Sequence, residues 1–90
     1  MAESPSAHDS EIESTLMKLV LQRGLHASAC PSEVARALSP DHWRGLMPQI
    51  RAVASRLAQQ GKIEIAQGVK AVSNIGPWVG PIRLRVPRKN

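Results

Sequence analysis

Cys30 is the only cysteine of this ninety-residue chain, and it stands immediately before Pro31-Ser32-Glu33, where a helix would begin. A thiol at a helix N-terminus is a position from which nucleophilic chemistry is done. Such chemistry also needs a base and a site for the oxyanion, and no residue pattern here identifies either. His26 and His42 are the side chains that could join Cys30 around a metal, but one Cys and two His at these intervals lack the paired spacing of a zinc site. Paired carboxylates, a glycine loop for phosphate and a dinucleotide fingerprint are missing as well. The sequence thus predicts a protein that is not an enzyme, with no cofactor, no metal and no small-molecule substrate, and with Cys30 as a small capping residue.

Attraction for anions is the chemistry this chain is well supplied for. Its net charge is +5, unevenly laid out: the first thirteen residues hold Glu3, Asp9, Glu11 and Glu13 and no Lys or Arg. All twelve Lys and Arg lie beyond them, facing only Glu33, Asp41 and Glu64. Such a body favours polyanionic partners, although the same charge also serves solubility. Arg83 and Arg85 alternate along a strand-like run and are followed by Arg88 and Lys89. They suit phosphate contact, or equally the protection of an edge strand. Farther up the chain, one helical face holds Pro48, Ala52, Ser55 and Gln59, flanked by Arg51 on one side and by Gln49 and Arg56 on the other. Short side chains allow close approach to a groove, Gln reads adenine edges, and Arg reaches guanine or phosphate; the plain alternative is a solvated helix face. With Lys70, the candidate nucleic-acid set is Gln49, Arg51, Ser55, Arg56, Gln59, Lys70, Arg83 and Arg85.

These side chains need elements to hold them. Ser10-Glu11-Ile12-Glu13 has the form of a capping box, and Ile12, Leu16, Leu19 and Val20 then fall on one helical face. Gly24 supplies the stop, with Leu25 as an apolar contact beyond it. Residues 26–29 could pair as a minimal strand. A second helix opens at Cys30, with Pro31 at its first position and Glu33 at its third, buries Val34, Ala35 and Leu38, and ends at Ser39-Pro40-Asp41. Pro48 interrupts the next segment, since an interior proline removes a hydrogen bond and clashes with the preceding turn, at about 3 kcal/mol. We therefore expect a short turn over residues 42–46, then a third helix over 47–60 that buries Met47, Ile50, Val53, Ala54 and Leu57 and is closed by Gly61. Beyond Gly61 the period changes to two. Residues 62–66 and 81–86 read as antiparallel strands, with Ile63, Ile65, Ile82, Leu84 and Val86 towards the helices and Arg83 and Arg85 outward. Residues 67–80, marked by Gly, Pro and Asn, form a wing between them. Trp43 is expected in the core and Trp78 folded back against it.

This order of elements is α+β: a winged helix-turn-helix with three main helices and a C-terminal β-hairpin wing, in which the third helix faces DNA. Cys30-Pro31-Ser32-Glu33-Val34-Ala35-Arg36, Trp43-Arg44, Leu46-Met47-Pro48, Arg51, Gly61, Ile63, Gln67-Gly68 and Gly80-Pro81-Ile82-Arg83-Leu84 together resemble a small bacterial family catalogued as a domain of unknown function. The resemblance spans residues 10–86 and implies a winged-helix-like fold, without an activity. Ninety residues leave room for one domain. The expected organisation is a flexible acidic tail over 1–9, the domain over 10–86 and a basic tail over 87–90. No apolar run approaches the ~20 residues that would span a bilayer, and a lone cysteine suits a reducing compartment, so the expectation is a cytoplasmic protein away from membranes. Its expected function is binding of duplex DNA through the third helix and the basic wing. The alternative is a protein partner held by the apolar wing around Trp78, with no nucleic-acid role.

Overall fold

A computed structural model describes residues 8–68, 70–76 and 78–87 of the chain. Three helices, α1 (Asp9–Arg23), α2 (Pro31–Leu38) and α3 (Trp43–Gln59), precede three strands, β1 (Glu64–Gln67), β2 (Lys70–Ala71) and β3 (Arg83–Arg85). The layout is α+β and consistent with a winged helix. Most of the expected N-terminal tail, with Arg88 and Lys89 of the expected C-terminal one, lies outside the described residues.

α1 starts before the point its Ser10 box would set. Glu11, not Glu13, turns its carboxylate back to accept the His8 backbone N–H at 3.1 Å, and Asp9 and Glu11 together place negative charge in the first turn, where the helix dipole favours it. Glu13 is thereby left to other partners. Ile12, Leu16 and Val20 form the buried stripe, and Gly24 ends the helix at φ 73°. Leu25 beyond it is 60% exposed and lies outside the core cluster. The second cap is the one its residues spell out: Pro31 opens α2 and Glu33 Oε1 accepts the Cys30 N–H at 2.8 Å. The other carboxylate oxygen of Glu33 binds Arg23 at the end of α1, tying the two helices together.

Pro48 does not start α3, as expected, but sits inside one continuous helix. Its ring is on the exposed side, and the carbonyl it leaves without an intrahelical donor, that of Arg44, belongs to an exposed residue open to water. The opposite face buries Leu46, Ile50, Val53, Ala54, Leu57 and Ala58, and that packing outweighs one lost hydrogen bond. Leu46 thus takes the place expected of Met47, which is half-buried. The helix closes on Gly61 (φ 79°), with the Gly61 N–H donating to Ala58 O at 3.0 Å and the Lys62 N–H to Leu57 O at 2.9 Å. This pair of bonds is a Schellman cap, and it needs the left-handed residue that glycine supplies.

The sheet differs most from expectation. β1 pairs antiparallel with β3, Glu64 opposite Arg85 and Ile65 opposite Leu84, as an outer hairpin would. It also turns directly into β2, with Gln67 opposite Lys70 and Gly68 at φ 62°, giving the strand order β2-β1-β3. The last pair of this ladder is therefore Gln67 with Lys70. Within the stretch expected as the wing, Asn74, Trp78 and Gly80 are hydrogen-bonded to side chains of α3. Ala29 pairs with Leu84 through two backbone hydrogen bonds of 2.7 and 2.8 Å, so the short segment before α2 does serve as a minimal strand at the β3 edge. Ile63, Ile65, Ile82 and Leu84 meet the buried faces of all three helices in one core, against which Trp43, Trp78 and Val86 are partly packed.

Candidate nucleic-acid interface

The eight candidate residues do not share one surface. Gln49 and Arg56 lie on the flank of α3 that faces α1. Gln49 Nε2 donates to Asp9 Oδ1 at 3.1 Å, and Arg56 binds Glu13 at 2.9 Å and Asp9 at 3.9 Å. Lys62 adds a second cation beside Glu13, at 3.7 Å. Asp9 and Glu13 of α1 thus face Arg56 of α3 and Lys62 just beyond it.

The other flank is bonded to the loop before β3. Arg51 donates from Nη1 to Trp78 O at 3.2 Å and from Nη2 to Gly80 O at 2.9 Å. Ser55 Oγ donates to Asn74 O at 2.7 Å and accepts from Gln59 Nε2 at 3.0 Å. Trp78 is half-buried, its Nε1–H donating to Ser73 O at 2.7 Å, and a Cβ added at Gly76 would stand 3.3 Å from its ring. Pro48 and Ala52, expected to lie bare in a DNA groove, instead floor an open trough of about 370 Å³ walled by Ile75, Gly76 and Trp78.

On the sheet, alternation does put Arg83 and Arg85 on the side away from the helices, but neither projects. Arg85 is only 8% exposed and binds Glu64, its cross-strand partner, at 2.7 Å. Arg83 Nε donates to Ser28 Oγ at 2.8 Å and Nη2 to Ser28 O at 3.0 Å. Lys70, exposed at the β1–β2 tip, is the candidate that stands as an extended surface cation.

Hydrogen bonding to a carbonyl or hydroxyl leaves a guanidinium's charge in place, whereas an ion pair cancels much of it. By that distinction Arg51, Lys70 and Arg83 keep their charge, with no carboxylate in ion-pair contact among the described residues. The same holds for Arg36 and Arg44, both exposed and outside the eight. Each places its guanidinium carbon 4.4 Å from the centroid of the Trp43 ring. Trp43-Arg44 is visible as a dipeptide; that Arg36, on another helix, shares the same indole depends on how α2 packs against α3.

Cys30 Sγ accepts a hydrogen bond from Ser32 Oγ at 3.1 Å. Among the described residues no three His, Cys, Asp or Glu side chains are grouped to hold a metal, and no helix is long and apolar enough to cross a membrane.

These features define a small α+β domain that presents cations from its helical corner and its hairpin. The chain belongs to the family described as "Protein of unknown function (DUF3253)", whose model matches residues 9–87. Comparison with curated proteins found no match.

Proposed function

We propose that this is a winged-helix protein that binds duplex DNA in the cytoplasm, chiefly through the phosphate backbone. The observation that carries the reading is the uneven use of charge: Asp9, Glu13, Glu33 and Glu64 are engaged by Arg23, Arg56, Lys62 and Arg85, while Arg36, Arg44, Arg51, Lys70 and Arg83 retain theirs. An excess of one sign on so small a body attracts a polyanion over a long range. The middle of α3 is bonded to Asn74, Trp78 and Gly80, and Gln49, Ser55 and Gln59 are tied to internal partners, so base reading contributes little. Phosphate contacts position a protein on DNA without carrying sequence information.

The test is titration of a labelled mixed-sequence duplex, followed by anisotropy at several salt concentrations. The expected result is a log K that falls with log salt by about 0.9 for each phosphate neutralised. Absence of binding at low salt overturns the proposal. A second reading has its own support: Ile75 is 66% and Val79 93% exposed beside the apolar trough, a surface that a protein partner could cover. That interface would be nearly insensitive to salt, and Ile75→Asp would abolish it while leaving DNA affinity close to unchanged.

A further inference from the structure

Arg36 lies in the last turn of α2, Arg44 lies in the first turn of α3, and both guanidiniums stand over Trp43. We propose that this corner is the principal phosphate grip of the molecule, with Arg36 and Arg44 contacting the DNA backbone and Trp43 acting as the plate that holds them. The proposal rests on the DNA reading above and names the contact that would dominate it.

Three observations lead to it. A guanidinium held over a ring by cation–π attraction keeps its charge and retains N–H donors that can fork onto phosphate oxygens. Two such groups on one indole are also held with less loss of side-chain freedom when an anion arrives. Next, the corner contains an electrostatic conflict. α1 has Asp9 and Glu11 in its first turn and α2 has Glu33, as helix dipoles favour, but α3 has no acid there and carries Arg44 instead. Asp41, the acid of this corner, is exposed and forms no ion pair among the described residues. Two like charges drawn to one ring beside a positive helix end are a local cost that a bound anion removes, and breaches of local rules cluster where a surface has work to do. Finally, helix-turn-helix proteins bring the N-terminal end of the recognition helix to the groove. Here the loop before β3 bonds to the middle of α3, at Arg51 and Ser55, and leaves the Trp43–Arg44 end uncovered.

The experiment compares wild type with the Arg36→Ala/Arg44→Ala and Arg36→Lys/Arg44→Lys variants, using the same labelled duplex between about 50 and about 200 mM salt. Circular dichroism confirms folding of each, and both positions are exposed, so the fold should survive. The Ala variant should bind about tenfold or more weakly at low salt, with a salt slope shallower by about 1 to 2. The Lys variant should recover the slope, because charge is kept, and fall short in affinity, because the stacked fork is not. In a Trp78→Phe background the emission of Trp43 should change as duplex is added. If wild type binds while the Ala variant keeps both affinity and slope, the corner is not the grip and the DNA reading stands. If wild type does not bind at low salt, both fall.

Discussion

Arg83 and Arg85 occupy equivalent places on one strand face, yet the structure gives them unequal tasks. Arg85 is nearly buried against Glu64, and removing one member of such a pair leaves the other charge without compensation. Glu64 keeps some contact with water, so Arg85→Ala should destabilise by about 2 kcal/mol, below the cost of breaking a fully buried pair. Replacing both by apolar residues, Glu64→Leu with Arg85→Met, should restore most of that loss in urea denaturation. Arg83→Ala loses two hydrogen bonds at a half-exposed site and should cost about 1 kcal/mol. Alternation made the face of these arginines legible from the sequence. Their partners were not: Glu64 lies across a ladder whose register no local pattern states, and Ser28 belongs to an edge formed by a single bridge. Arg51 was hidden for a related reason, since it binds the backbone carbonyls of Trp78 and Gly80, and every residue offers a carbonyl.

At the scale of elements, the capping signals of α2 and the stop at Gly61 were plain because each is a chemical requirement of a helix end. The continuity of α3 was not, because proline's penalty is local whereas the packing that overrides it comes from other elements. The penalty should still be measurable. Pro48→Ala is expected to stabilise by about 1 to 2 kcal/mol once the greater freedom of the unfolded chain is set against it, and each kcal/mol should appear as a Tm gain of about 4–8 °C. The loop before β3 gives a second test. Arg51→Ala removes its clamp, so the amides of residues 73–76 and 78–80 should exchange hydrogen faster while those of α3 stay protected. Equal protection in the variant would mean that Trp78 packing and the Ser55–Asn74 bond hold the loop without Arg51.

For the whole molecule, the meeting of α1 acids with α3 cations sets stability against binding. Those ion pairs are partly exposed and should be worth under about 1 kcal/mol each. Asp9→Asn with Glu13→Gln should therefore lower stability only slightly while tightening duplex binding at low salt, because Arg56 and Lys62 regain their charge; anisotropy and thermal melts of one preparation separate the two effects. The pairing of Ala29 with Leu84 carries a consequence of another kind, in time. It joins residues 55 apart in sequence, as does the neighbouring contact of Arg83 with Ser28. Closing a loop of that length costs about 3 to 4 kcal/mol of chain entropy, so helices that form from local contacts should assemble first and β3 should seat last. Leu84→Ala should then speed unfolding and leave the folding rate almost untouched, a low φ-value at a fully buried residue. The strand that closes the sheet would be the latch of the fold, first to open when the domain lets go.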